Sequence, residues 1–347
     1  MTEIRIAERL VGDGHPVFII AEAGVNHDGE LERAKDLIDI AAMSGADAVK
    51  FQTFRADLLT TPETPLASYQ RGNGMDVDQR SMLQHLELPD SAWPTLADHA
   101  RSKGLLFLST PFDEESLDML VRVGIPAIKI ASPDLTNHRL LRHAAKFGMP
   151  LIVSTGMATS DEIAAAVKTV TSEGGDLALL HCMSSYPAPA EQLNLRAIRT
   201  IAERFDKVAG YSDHALGILA PIAAVAVGAR IVEKHFTTDP ARTGPDHRAS
   251  LGPAELRQMV DGIRAVERML GDGEKRPRPA EEELRRLSRR SLTYREDLPA
   301  GTVIRSHHIA LKRPGSGLAP DREQDVVGRR LNRDVRGDTL VTLTDFE

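Results

Sequence analysis

Short runs of β-branched and aliphatic residues alternate with longer amphipathic stretches from residue 17 to residue 270. The runs fall at 17–21, 48–51, 105–109, 127–131, 151–154, 177–181, 208–211 and 229–233. Apolar residues at helical spacing fill 31–43, 116–123, 140–147, 161–170, 195–205, 219–227 and 253–270. Such near-continuous apolar runs suit strands buried on both faces, as in a parallel sheet covered by its crossover helices. Eight units of this kind predict an α/β chain folded as a (β/α)8 TIM barrel. The competing doubly wound open sheet would carry a glycine fingerprint that is absent here.

The pattern changes after Leu270. Gly271-Asp272-Gly273 stops the last helix, and a Pro-rich charged stretch follows. From Ser291, short alternating pieces are punctuated by Pro299-Ala300-Gly301, Arg313-Pro314-Gly315 and Arg336-Gly337-Asp338. The expected organisation is a catalytic barrel over 1–271, a linker over 272–290 and a small, mostly β domain over 291–347. One long connection, 53–88, contains Thr61-Pro62, Thr64-Pro65 and Gly72-Asn73-Gly74, and reads as a mobile cover over the barrel mouth.

Barrels place their chemistry at the carboxyl ends of the strands, so the residues there become the candidates. Lys50 and Lys129, with Thr110, Ser132, Ser154, Ser184 and Ser212, form a set suited to an anion: two point charges ringed by hydroxyl donors. Ser and Thr also end strands and cap helices, but this many on one rim beside two lysines favour a cradle for a phosphate ester. His214, in Tyr211-Ser212-Asp213-His214, and His235, in Glu233-Lys234-His235-Phe236, end neighbouring strands. Two imidazoles so placed can share a metal ion and leave positions for water and a substrate oxygen. Glu22 is a carboxylate at the end of an apolar strand, either a general base or a partner of Lys50. Cys182 reads as a packing residue.

Composition narrows the partners. The net charge of −7 and an aromatic share of 4% exclude nucleic acid and anionic membrane as expected partners. The basic cluster at 285–290 stands beside Glu281, Glu282 and Glu283 and reads as a solvated face. A single cysteine allows no internal disulfide, and no run has the ~20 apolar residues of a spanning helix. The expected setting is the cytoplasm.

The motifs Ile20-Ala21-Glu22-Ala23-Gly24-Val25-Asn26-His27-Asp28-Gly29, Ser154-Thr155-Gly156-Met157, Tyr211-Ser212-Asp213-His214 and Glu233-Lys234-His235-Phe236 resemble those of the sialic acid synthase family. The resemblance spans both the barrel and the small domain, which looks like the family's antifreeze-like (SAF) domain. It implies a phosphoenolpyruvate-condensing enzyme that joins C3 of phosphoenolpyruvate to the aldehyde of an N-acyl hexosamine, adds water at C2 and releases phosphate. By the same resemblance, His214 and His235 hold a divalent metal, Mn2+ ahead of Mg2+ or Co2+, and are catalytic together with Glu22. Lys50, Thr110, Lys129, Ser132, Ser154, Ser184 and Ser212 hold phosphoenolpyruvate. Gln52, Asp134, Tyr186 and Asp246 contact the amino sugar, as does Arg313, which enters the partner's site in a domain-swapped homodimer.

By the same resemblance, the segment Gly244-Pro245-Asp246-His247-Arg248-Ala249-Ser250-Leu251 favours an acceptor of neuraminate or legionaminate type over one of pseudaminate type. The alternatives are a synthase for another or phosphorylated aldose, of pseudaminate, Kdn or ulosonate-phosphate type, and a carbohydrate-binding protein without turnover.

Overall fold

The computed structural model describes residues 2–66 and 78–347, which fall into two compact units, Met1–Gly271 and Asp272–Glu347. The first opens with an antiparallel hairpin, β1 (Glu3–Ile6) and β2 (Arg9–Gly12). Eight parallel strands follow: β3 (Phe18–Gly24), β4 (Ala48–Thr53), β5 (Leu106–Pro111), β6 (Ile128–Ile130), β7 (Leu151–Ser154), β8 (Leu177–Cys182), β9 (Ala209–Asp213) and β10 (Ile231–His235). Their order in the sheet is β5-β4-β3-β10-β9-β8-β7-β6, and β5 lies beside β6, bringing the two ends together as a (β/α)8 barrel.

The helices of this unit are α1 (Leu31–Met43), α2 (Ala56–Leu59), α3 (Gln79–Leu86), α4 (Ala92–Ser102), α5 (Glu114–Val123), α6 (His138–Ala145), α7 (Ser160–Ser172), α8 (Ala197–Phe205), α9 (Leu219–Ala226) and α10 (Pro253–Leu270). Local chemistry sets several of their ends. Asp113 caps α5 by accepting the Ser116 N–H, and Gly124 closes that helix with a left-handed φ of 88°. Thr159 and Glu162 form a reciprocal capping box at the start of α7.

Alternation along the strands sorts residues into two cores. Phe18 and Ile20 of β3, Leu108 of β5, Ile152 of β7, Leu180 of β8 and Ile231 of β10 meet inside the barrel, joined by Ile4, Ile6 and Val11 of the hairpin. Most of these side chains come from the amino halves of the strands, so the hairpin stoppers that end of the barrel. The intervening residues, such as Ile19, Val49 and Phe51, face the helices and pack with Leu37, Trp93 and Leu96.

The connection over 53–88 departs from the expected loose cover. Its described residues include α2 and α3, and Met82 and Leu86 are buried with Val25 and Phe54 in a small cluster of their own. The apolar spacing of α3 is strong enough to fix a helix on the rim despite the prolines before it. The Gly72-Asn73-Gly74 turn lies outside the described residues.

The second unit pairs β11 (Ser291–Tyr294) with β12 (Ile309–Lys312), and single bridges such as Leu298↔Val335 and Leu331↔Phe346 extend its small β framework. Leu292, Tyr294, Ile304, Val326, Leu331 and Val341 form its core, and the Tyr294 hydroxyl donates to Asp345 Oδ2 at 3.0 Å. Residues 272–290, expected as a linker, are partly folded: α11 (Glu282–Ser288) occupies the carboxyl half of the segment. Its Glu282, Glu283, Arg285 and Arg286 follow the charge order favoured by a helix dipole.

Candidate active site

Strand alternation continues past the inner core, and there it delivers polar residues. Beyond Ile20 the next inward position on β3 is Glu22; beyond Ala48 on β4 it is Lys50, then Gln52. The same step gives Thr110, Lys129, Ser154, Cys182, Ser212, and both Glu233 and His235 on β10. The loops add Ser132, Asp134, Ser184, Tyr186, His214 and Asp246. All of these line one cavity of about 620 Å3 at the carboxyl mouth. Every barrel residue picked out from sequence is therefore in this one place. Arg313 lies in the second unit, exposed just after β12.

The floor of the cavity is a buried charge network. Lys50 Nζ lies 2.7 Å from Glu22 Oε2 and donates to Thr110 Oγ1 at 2.9 Å. Lys129 Nζ donates to Ser154 Oγ at 2.7 Å and to the Ile130 carbonyl at 3.1 Å. Glu233 stands between the two lysines, 3.7 Å from Lys50 and 3.8 Å from Lys129, and accepts from Ser212 Oγ at 3.0 Å.

Burial pushes Glu22 up to about 7, partly offset by the Lys50 ammonium. Burial also raises the cost of ionising Glu233, but the charges of Lys129 and Lys50 outweigh it and hold that carboxyl below its usual range. For Lys129 burial dominates and lowers its affinity for a proton, despite Glu233. For Lys50 the carboxylates of Glu22 and Glu233 overcome burial and hold it above the ordinary lysine value.

Beside the lysines the backbone comes close enough to serve as a donor. Gly156 N–H donates to Ser132 Oγ at 3.0 Å, and a Cβ on Gly156 would collide with the hydroxyls of Ser132 and Ser184. Thr155 pins this turn to β8 by donating its N–H and its hydroxyl to the Leu180 carbonyl, at 2.9 and 3.0 Å. A second glycine makes room across the mouth. A bulge in β3 puts Gly24 at φ 54°, where a Cβ would press on Gln52, Asp246 and Glu22. Gln52 Nε2 donates to Glu22 Oε1 at 3.3 Å.

The two imidazoles stand over this floor with ring centroids 5.6 Å apart. His214 Nδ1 donates to the Met183 carbonyl at 2.8 Å, and its Nε2 meets the Tyr186 hydroxyl at 3.0 Å. The Cys182 thiol is 3.6 Å from His214 Nδ1, so this buried residue, read as a packing residue, lies against the cavity. His235 Nδ1 is buried without a hydrogen-bond partner, 3.8 Å from Asp246 Oδ2. Burial, helped by the charges of His214 and Lys50, holds His235 well below the ordinary histidine value and so neutral. Burial raises Asp246 to about 6, against the pull of His214.

A neutral imidazole with an unsatisfied nitrogen, beside a carboxylate and a second imidazole, is a donor set that fits a divalent cation. Among the described residues, no three His, Cys, Asp or Glu side chains converge as a ready-made cage.

Glu233 escaped the sequence reading, although it sits inside a motif that was singled out. Its signal was parity: two steps before an inward histidine, on a strand whose Ile231 is inward, position 233 must also face in. Its motif neighbours are structural. Lys234 and Asp213 point outward, are fully buried and pair at 2.6 Å; Asp213 also accepts from the Tyr211 hydroxyl and the Ala215 N–H. Asn26 donates to the Phe236 carbonyl and to Ser250, and Asp28 binds His247 and Arg33, tying the end of β3 to the segment after β10.

The NeuB family profile matches residues 37–275, and the SAF domain profile matches residues 289–347. The chain is 46% identical over 342 residues to the N,N'-diacetyllegionaminic acid synthase of Legionella pneumophila, covering 97% of this chain and 96% of that one. It is 41% identical over 328 residues to the enzyme of the same name from Campylobacter jejuni, covering 93% and 98%. The crystal structure of N-acetylneuraminic acid (sialic acid) synthetase from Leptospira borgpetersenii superposes with a TM-score of 0.73 at 37% identity, covering 82% of this chain and 95% of that one. Matches of that extent reach through both units, and the chain belongs to the NeuB family, the sialic acid synthases, as an enzyme carrying a SAF domain.

Proposed function

We propose that the cavity condenses phosphoenolpyruvate with the open-chain aldehyde of an N-acyl hexosamine and water, giving a nonulosonic acid and phosphate. The observation that carries this reading is the grouping of Lys50, Lys129 and a ring of hydroxyls with Glu22 and two imidazoles around one cavity. Lys50 and Thr110, with Lys129 and Ser154, hold the anionic groups of phosphoenolpyruvate by charge-assisted hydrogen bonds. The Gly156 N–H, Ser132 and Ser184 complete the phosphate side of the cradle. Glu233 keeps the two ammonium groups together while the site is empty of anion.

C3 of phosphoenolpyruvate forms the new bond to the aldehyde carbon; water adds at C2, and phosphate leaves by C–O cleavage. Glu22, titrating near neutrality beside Lys50, orients that water or takes its proton. His214 and His235 would hold the divalent cation, Mn2+ being the first candidate. Such an ion supplies Lewis acidity toward an aldehyde oxygen. Gln52, Asp134, Tyr186 and Asp246, around the upper cavity, orient the acceptor, and Arg313 of the partner subunit completes its binding in a homodimer.

A diacetamido-trideoxyhexose is the preferred acceptor, because the relatives from Legionella and Campylobacter are named for the diacetyllegionaminic product. Phosphate release and product mass should be measured with that sugar, with N-acetylmannosamine and with its 6-phosphate. A preference for the phosphorylated sugar would refute the acceptor class. Absence of phosphate release with every acceptor would refute the reaction.

A further inference from the structure

We infer that Tyr186 caps the ligand nitrogen of His214 and must turn away before that imidazole can bind a divalent cation, so that Tyr186 sets the affinity of the site for the ion; the inference rests on the metal-holding role proposed for His214 and His235. The Met183 carbonyl can only accept a hydrogen bond, so His214 Nδ1 carries the proton that spans the 2.8 Å between them. The nitrogen left to face the cavity is Nε2, and the Tyr186 hydroxyl stands 3.0 Å from it. In the neutral ring Nε2 accepts from the hydroxyl; in the imidazolium it donates to the phenolic oxygen. Either way the position a ligand bond needs is taken.

The phenol covers more than one atom. Its ring lies over His214 with centroids 4.0 Å apart and planes 30° from parallel, and meets His235 edge-on at 5.9 Å. Tyr186 therefore touches both imidazoles, while His235 Nδ1 has no hydrogen-bond partner. The segment that bears the tyrosine is laced to the same histidine. The Ala188 N–H donates to the His214 carbonyl at 2.9 Å, and the Met183 carbonyl that holds Nδ1 also accepts the Ser185 N–H at 2.9 Å. These bonds fix the backbone on both sides and leave rotation of the Tyr186 side chain as the movement that uncovers Nε2. Loading an ion on His214 and withdrawing Tyr186 are then one equilibrium, and the hydrogen bond subtracts from ion affinity.

The test is Mn2+ binding without substrates, read from the electron paramagnetic resonance of the free ion, in the full chain and in Tyr186→Phe. Phenylalanine keeps the ring and removes the hydroxyl, so Kd should fall by about two- to tenfold, the worth of one hydrogen bond. His214→Ala should abolish binding at the site. An unchanged or weaker Kd in Tyr186→Phe, with binding still lost in His214→Ala, would overturn the cap and leave the metal reading standing. No binding by the wild-type chain, or full binding by His214→Ala, would overturn both. Wild-type protein supplies an independent readout: Mn2+ should produce a tyrosine ultraviolet difference band that Tyr186→Phe lacks, and its absence during saturation would also overturn the cap.

Discussion

Replacing Lys234 by Met should destabilise the barrel far more than an ordinary surface change, because it strands a charge. Lys234 and Asp213 are both fully buried and their charged atoms are 2.6 Å apart. A pair within about 4 Å at the effective dielectric of a protein is worth about 4 kcal/mol, and losing one partner of a buried pair typically costs about 3–5 kcal/mol. Asp213 would keep the Tyr211 hydroxyl at 2.9 Å and the Ala215 N–H at 3.0 Å, which places Lys234→Met near the lower end, about 3 kcal/mol. The Asp213→Asn, Lys234→Met double variant leaves no uncompensated charge and should be more stable than Lys234→Met alone.

Urea unfolding followed by tryptophan fluorescence reads the barrel unit selectively. The chain has one tryptophan, and Trp93 on α4 packs edge-on against Phe51 of β4 with centroids 6.4 Å apart. A loss below about 1 kcal/mol in Lys234→Met, or a double variant as destabilised as the two single losses summed, would refute this account of the motif.

Three further outcomes are expected. Gly156→Ala should raise the KM for phosphoenolpyruvate about tenfold or more, since the new methyl displaces the Ser132 and Ser184 hydroxyls; an unchanged KM in steady-state kinetics would remove the phosphate from that corner. Glu22 titrates at about 7 and its carboxylate grows as pH rises, so kcat/KM should climb through that region, and Glu22→Gln should lose the limb along with most activity. Persistence of the same limb in Glu22→Gln would assign it to another group. Arg313→Ala should raise the acceptor KM more than that of phosphoenolpyruvate, and mixing it with inactive Glu22→Ala should restore turnover through hybrid dimers; failure of that complementation would count against a shared site.

The barrel was legible because its strands are buried on both faces, so runs such as Leu151–Ser154 carry an unbroken apolar signal between helical stretches. The hairpin was not, because β1 and β2 are four residues each and show charge on every exposed position. α4 lies in a stretch to which no element was assigned; its Pro94 is tolerated in the first turn of a helix, and Trp93, Leu96, Ala97 and Ala100 hold the spacing that identifies it.

In the site, residue types at strand ends sufficed to collect the rim, since eight strands deliver their last inward positions to one mouth. Of the pairings among those groups, sequence offered only that of Glu22 with Lys50, which the structure holds at 2.7 Å. It did not show that each lysine also faces Glu233, or that the Tyr186 hydroxyl rests on His214. Such pairings are set by cross-strand register, as in Glu22 opposite both Lys50 and His235, which no single strand encodes.

Among the described residues, the hairpin closes the amino end of the barrel and leaves the carboxyl mouth as the way in. With Ile4, Ile6 and Val11 packed among the inner side chains, the cavity is a blind well whose lysines lie below its histidines. A well fills from the bottom. On the roles proposed for Lys50 and Lys129, phosphoenolpyruvate would settle on them before the acceptor covers it, and phosphate, formed beneath the new sugar acid, would depart only after that product had cleared the mouth. On that proposal the stopper far from the chemistry would impose a queue, with ordered binding in which an acceptor arriving first bars the door to its own co-substrate.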